Sequence, residues 1–291
     1  MLFEAGILFA FGALVFWGFG DFLIQKTARK LGDWEPLLII SVFGAVVLTP
    51  FVYRDIQNLV LASDYSFLIL LGSSILILFA ALFDFEALRK GKLSVIEPVL
   101  AFEVPVSVLL AFVLLNESLP IIQTVFISLL LLGIIMVSLK SRHLSRKIWL
   151  EKGVVLAVIG AVLMGSTNFM VGIASRETNF LVVNWFMNIV LTLVCVFYIF
   201  VNHRTGKFIS HMRQNKKLLL GMSIFDNLAW ICYAGAATLI PIAIAVSISE
   251  SYIALTAMLG ILINKEKLMR HQKIGLLLAL LGAVAIAIVY G

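Results

Sequence analysis

Charge is scarce in this sequence. Only 13% of its 291 residues are Asp, Glu, Lys or Arg, while 62% are hydrophobic and the mean hydropathy is +1.09. Soluble globular domains carry roughly 25% charged residues, so a water-solvated fold is excluded, and so is disorder, which needs polarity and net charge. The apolar surplus has no water-free place to go except lipid. Cysteine is nearly absent: Cys195 and Cys232 both lie in apolar runs and form neither a disulfide framework nor a metal spacing. No His-Glu-x-x-His, Gly-x-Ser-x-Gly or phosphate-loop pattern occurs. His143, His203, His211 and His271 are scattered in the gaps between apolar runs. No cofactor and no metal site are expected. A basic leader and a small-residue cleavage site are also missing, so the first apolar run reads as a mature spanning helix.

What is present is a series of long apolar runs. A membrane span needs about 20 largely apolar residues, and ten such runs fall near 5–25, 36–53, 67–88, 93–115, 121–139, 153–175, 181–201, 218–239, 241–263 and 272–290. The longest gaps, Arg54 to Ser66 and Asn202 to Lys217, leave no room for an extramembrane domain. The net charge of +6 is a matter of topology, not of a nucleic-acid partner. All Lys and Arg except Arg54 and Arg176 sit in the gaps after spans 1, 3, 5, 7 and 9. Basic residues stay on the cytoplasmic side, which places those gaps in the cytoplasm and both termini outside a cytoplasmic membrane.

The chain also repeats itself. Gly18-Phe19-Gly20-Asp21-Phe22 aligns with Gly165-Ser166-Thr167-Asn168-Phe169, which brings Arg29 onto Arg176 at an offset of 147 residues. Leu115-Asn116-Glu117-Ser118-Leu119 aligns with Asn264-Lys265-Glu266-Lys267-Leu268 at an offset of 149, together with Gln123 on Gln272 and Gly133 on Gly282. The fold class is therefore an all-α membrane protein of ten transmembrane helices in two inverted five-helix repeats. The repeats are residues 1–139 and 153–291, joined by a basic cytoplasmic linker at 140–152. An odd number of spans per repeat inverts the second copy, an architecture of secondary transporters with the site near mid-membrane at the repeat interface.

Trp17-Gly18, the stretch Glu86-Ala87-Leu88-Arg89-Lys90-Gly91, the run from Pro105 through Asn116-Glu117 to Gly133, and their echo in Ala236-Ala237, Lys265-Glu266 and Gly282 give the sequence a family likeness. It resembles the ten-helix EamA-type branch of the drug/metabolite transporter superfamily over essentially its whole length. The resemblance implies a transporter with a central cavity lined mainly by spans 1, 3, 4, 6, 8 and 9.

Seven acids lie inside the spans: Asp21, Asp84, Glu86, Glu97, Glu103, Asp226 and Glu250. No Lys or Arg lies deep in any of them. Ionisable residues in a span are costly and face a bundle interior. Unpartnered carboxylates suit protons, cations or ammonium groups, whereas a phosphorylated solute would call for Arg or Lys. In span 1, Trp17, Gly18 and Asp21 share a face, and Gly18 allows close approach beside Asp21. Asn168 is the uncharged repeat mate of Asp21. In span 8, Asp226, Trp230 and Tyr233 share a face, an acid beside two rings that suits a cation. Asp84 matches Tyr233 across the repeat, while Glu86 lies one turn from Arg89 and Lys90 and reads as a salt bridge. Glu97, Glu103, Glu250 and Tyr252 complete the candidate substrate and proton site. Pro98 and Pro105 loosen span 4 around the first two acids.

Asn184 and Asn188 read as helix–helix contacts. Glu117 and Glu266, which begin or precede spans 5 and 10, suit the positive ends of those helices. The expected function is secondary-active transport of a small cationic or zwitterionic solute by alternating access, with protons as coupling ion, as a monomer or homodimer in the bilayer. The alternatives are a lipid-flipping or structural membrane subunit, and an intramembrane aspartyl protease. The second rests on Gly18-Phe19-Gly20-Asp21 with Asp84 or Asp226 as the partner acid. A four-residue match in the first helix is weak beside a repeat that spans the chain.

Overall fold

The computed structural model describes residues 2–60, 64–90, 99–117, 121–138, 152–253 and 269–290, and of the stretch between the last two segments only Leu255, Thr256, Leu259 and Ile263. Glu97, Pro98, Glu266 and almost all of the 140–152 linker lie outside them. Among the described residues every regular element is a helix. These are α1 (Leu2–Leu31), α2 (Trp34–Val60), α3 (Asp64–Lys90), α4 (Glu103–Leu115), α5 (Ile121–Ser138), α6 (Lys152–Glu177), α7 (Phe180–Val201), α8 (Thr205–Gln214), α9 (Lys216–Leu239), α10 (Ile242–Ser249) and α11 (Arg270–Tyr290).

Counting described residues only, six helices are long and apolar enough to cross a membrane. They are α1, α2, α3, α6, α7 and α9. Each of the other four expected spans contains a shorter or partly described helix: α4, α5, α10 and α11. The Asn202–Lys217 gap holds an element that the hydrophobic pattern passes over, the amphipathic helix α8. It is too short and too polar to register as a span, and none of its residues is buried.

Local chemistry sets the breaks. Gly32, at φ +86°, closes α1 with its N–H on the Ala28 carbonyl at 2.9 Å, a turn that a side chain would strain. Asn179 begins α7 in an extended conformation, its side chain accepting from the Leu181 N–H at 2.9 Å. Pro241, which has no N–H to donate, separates α9 from α10. Inside the helices, hydroxyls such as Ser73, Ser74, Thr167 and Ser223 donate to the carbonyl four residues back, which satisfies them in apolar surroundings.

The packing carries the twofold plan of the repeat. α1 lies along α9 and α3 along α6, pairings that exchange when the halves are exchanged. α2 packs on α7 and α5 on α11, pairings that map onto themselves. At the α5–α11 crossing, a Cβ on Gly133 would meet the backbone of Ala279 and the Gly275 carbonyl, and one on Gly282 would lie 3.0 Å from the backbone of Leu130. Leu130 and Ala279 are themselves repeat mates, so one small-residue contact is made twice about a single axis. Many large apolar side chains, among them Phe51, Phe112, Phe197 and Phe200, point outward. That surface is the one a bilayer covers.

Candidate functional site

The helices converge on a cavity of about 100 Å³. Trp17 and Asp21 reach it from α1, Asp84 from α3, Glu103 from α4, Asn168 from α6, Asp226 and Trp230 from α9, and Glu250 and Tyr252 from the segment after α10. Of the candidates read from sequence, the structure brings these nine together around one space. Tyr233 stands behind it. Fully buried, Tyr233 donates from its hydroxyl to the Asn168 backbone carbonyl at 2.7 Å and supports the wall without lining it. Glu97 lies outside the described residues. Span 1 glycine packing is tight: a Cβ on Gly18 would lie 2.5 Å from Leu255, so a helix-side neighbour and not a solute occupies that approach.

Two spans beyond the expected six also line the cavity. α2 contributes Leu37 and Ile40, and α7 contributes Asn184, Met187, Asn188 and Leu191. Asn188 does serve packing, donating to the Asn227 side chain at 3.0 Å, and Asn227 donates to the Ile40 carbonyl at 3.1 Å, whereas Asn184 donates within its own helix to the Phe180 carbonyl at 2.7 Å. Their stripe faces inward at the same time, a double role that a helix–helix reading leaves out.

Five carboxylates therefore share a cavity that no Lys, Arg or His among the described residues lines. An ionised group at the centre of a lipid-embedded helix costs about 2.5–3.5 kcal/mol, so five amount to roughly 15 kcal/mol, comparable with the whole stability of an ordinary domain. Water, protons or a cation must offset this. The acids are not independent. Glu103 and Glu250 face each other closely enough for a carboxyl–carboxyl hydrogen bond when one holds a proton. Asn168 donates to Glu250 Oε1 at 3.1 Å, while Glu250 Oε2, Asp84 Oδ1 and Asn168 Oδ1 are buried with no hydrogen-bond partner among the described residues. Asp226 stands within electrostatic reach of Asp21, where α1 and α9 run close: a Cβ on Gly20 would lie 3.4 Å from the Asp226 nitrogen.

Aromatic rings form one wall. Trp17 meets Trp230 edge to face, with centroids 5.1 Å apart and planes at 88°, and packs on Tyr233 at 5.6 Å and Tyr252 at 6.0 Å. Such pairs favour this tilted geometry.

The two ends of the bundle are tied differently. At the end away from most basic residues, Arg176 donates to the carbonyls of Ala237 (2.8 Å) and Ile240 (3.0 Å) and to Glu117 (2.9 Å). Glu117 accepts in turn from the N–H groups of Ile242 and Ala243, at 3.3 and 3.4 Å. Glu117 thus suits a positive helix end, but that of α10, a neighbour in space and not in sequence. At the basic end, Glu86 pairs with Arg89 and Lys90, as its spacing indicates, and Arg89 lies 3.5 Å from Asp33. Burial pushes the Asp33 carboxyl up to about 7, the hydrogen bond with Glu86 adds to the shift, and Arg89 opposes it.

The fold and this site define a polytopic helical membrane protein built of two equivalent halves around a polar centre. The chain belongs to the EamA-like transporter family, whose model matches it twice, over residues 4–139 and 151–288. An uncharacterized protein of Methanocaldococcus jannaschii is 24% identical over 140 residues, which cover 47% of this chain and 99% of that protein. The relative is thus about one repeat long. A solved crystal structure, 13% identical, superposes over 98% of this chain and 97% of its own with a TM-score of 0.76, and so shares the fold.

Proposed function

We propose that this protein is a secondary-active transporter that moves a small cationic or zwitterionic organic solute across a cytoplasmic membrane by alternating access, with protons as the coupling ion. Ten crossings, with both termini outside, agree with the distribution of Lys and Arg and with the two matched segments. The observation that carries the reading is the convergence of Asp21, Asp84, Glu103, Asp226 and Glu250 on one cavity with no basic side chain among the described residues.

The mechanism follows from neutrality. Empty of solute, the carboxyls hold protons or water, and the facing pair Glu103 and Glu250 is the natural place for a shared proton. An arriving ammonium group supplies positive charge and releases that proton. Ile24, Leu37 and Leu88 line the cavity toward the basic end, and Trp17, Trp230 and Tyr252 line it elsewhere, with the Arg176–Glu117 tie at the opposite end of the bundle. In this reading the solute reaches the cytoplasm past the first three. Opening to the other side requires the Arg176 tie to part as the halves rock.

A thermal-shift screen of the purified protein at pH 6 and pH 8 tests the reading, with amines, amino acids, neutral sugars and sugar phosphates as the panel. A ligand that binds the native state raises its stability by mass action. Stabilisation by amines or amino acids, dependent on pH, is the expected result. Stabilisation by phosphates alone overturns it.

A further inference from the structure

A second pocket, of about 440 Å³, opens at the basic end of the bundle and shares no lining residue with the acidic cavity. It changes character along its length. One end is lined by Arg89, Arg204 and the rings of Trp34 and Tyr198, the other by Phe79, Leu82 and Leu156. Phe79 precedes Arg89 by ten residues on α3, about 15 Å at the helical rise, and is half exposed on the surface that lipid covers. Trp34 and Tyr198 stack at 3.8 Å with their planes at 9°, and such rings gather where bilayer meets water.

The helix α8 sets the level of the polar end. Phe208 packs on the core and His211 Nδ1 lies 2.6 Å from the buried Glu35 carboxylate, so one face of α8 is docked on the bundle. Ile209 and Met212 share the adjacent face and are exposed. A helix held on one side and apolar on the next lies in the corner between bundle and bilayer, at headgroup depth. Arg204 stands at its start. The guanidinium lies 5.7 Å from the Tyr198 ring centroid and makes no ion pair among the described residues, whereas Arg89 is matched by Glu86 and Asp33. From Asn202 to Lys217 the sequence holds Arg204, Lys207, Arg213, Lys216 and Lys217 and no acid. The unmatched charge beside the pocket is therefore positive.

We propose that this pocket binds an anionic phospholipid of the surrounding bilayer, with the phosphate on the Arg204 guanidinium and an acyl chain along Phe79, Leu82 and Leu156. A guanidinium presents paired N–H donors that match phosphate oxygens, and basic pockets between helices at the membrane surface hold acidic headgroups. A soluble phosphate would use the polar end and leave the apolar end unfilled. A headgroup that also carries an ammonium would bring it toward a segment that has no acid to receive it. Because the pocket and the acidic cavity have separate linings, lipid binding here stands whichever solute the cavity takes.

The test uses the full chain in detergent, with native mass spectrometry to count bound lipids and melting curves to report their effect. The probes are phosphatidylglycerol, phosphatidylethanolamine and phosphatidylcholine of equal chain length, and glycerol 3-phosphate as the phosphate without chains. We expect one phosphatidylglycerol per chain, held at least fivefold more tightly than either other lipid, and no retention of glycerol 3-phosphate. Arg204→Ala should weaken that binding at least fivefold. Leu156→Trp, which fills the apolar end without touching the charge, should weaken it as well; if that variant does not fold, the exposed Arg204 decides alone. Arg54→Ala, exposed at the opposite end of α2, should change nothing. Equal retention of the three lipids, or full retention by Arg204→Ala, overturns the proposal. Loss in Arg204→Ala with full binding in Leu156→Trp replaces the pocket with the open surface of α8. Glycerol 3-phosphate bound as tightly as the lipid replaces the lipid with a soluble phosphate.

Discussion

The two halves of the molecule share a shape and differ in charge. Across the offset of 147 residues, Trp17 corresponds to Met164 and Asp21 to Asn168. Across 149, Ile77 corresponds to Asp226, Ala81 to Trp230 and Glu103 to Tyr252, and in every one of these pairs both members line the cavity. Asp84 corresponds to Tyr233 and Ala101 to Glu250, with the second-named acid and the first lining it and their mates buried just behind. The backbone cradle is twofold, yet no acid faces an acid at an equivalent position. Five carboxylates occupy five different repeat positions. A symmetric acid set would place like charges about the axis at equal depth, whereas this one spreads them over different positions of the cavity.

Predictions follow that break or sharpen this contrast. The largest effect is expected from Glu250→Gln and Asp21→Asn, each of which should abolish pH-driven flux in proteoliposomes while expression and monodispersity in detergent stay intact. Normal flux in both would remove the proton relay. Next comes a charge swap, Asp21→Asn combined with Asn168→Asp, which keeps the total charge and moves an acid to its repeat mate. Asn168 now donates to Glu250 at 3.1 Å, so the swap sets a carboxylate against a carboxylate. Ligand-induced thermal shifts should fall to or below those of Asp21→Asn; full recovery would mean that only the shared shape matters.

A third comparison sets Arg176 against its mate Arg29. Arg176→Gln strips Glu117 and two carbonyls of a charged donor, worth about 1.5–3 kcal/mol per such bond, and should lower the melting temperature clearly. Arg29 is exposed and has no ion pair among the described residues, so Arg29→Gln should change stability by no more than about 0.5 kcal/mol. Equal losses would show that the two ends are tied alike. The smallest effect is at Asp33. Its folded carboxyl titrates near 7, above the ordinary 3.8, so the folded state binds the extra proton and stability falls as pH rises from about 4 to about 7. Asp33→Asn should flatten that part of the melting temperature against pH; an unchanged slope would assign it elsewhere.

Much of this was legible in the sequence because lipid makes polarity conspicuous. An acid in an apolar run must face inward, and helical phase then places Asp21 with Trp17 and Asp226 with Trp230. Phase is a local property, however, and the rest depends on which helices meet. Nothing in the sequence sets Glu103 against Glu250, since α4 and the end of α10 become neighbours only through the twofold packing. Tyr233 shares a face with Asp226 but lies one turn too far along α9 to reach the cavity. Glu117 caps α10 instead of the helix that follows it in sequence, because a helix end attracts the carboxylate nearest in space. Asn184 and Asn188 were hidden by ambiguity: amide side chains in a span serve packing and lining equally well.

The α5–α11 crossing has a consequence for ancestry and assembly. Gly133 meets Ala279 where Gly282 meets Leu130, so each half offers the other the surface it receives. Such a self-complementary contact is what two separate copies of one half would use to pair, and a relative of half this length exists. If each half crosses five times, as proposed above, two such copies could make this contact only after inserting in opposite senses. In the fused chain, covalent order settles that choice once, and each half is then free to lose the charges its partner keeps.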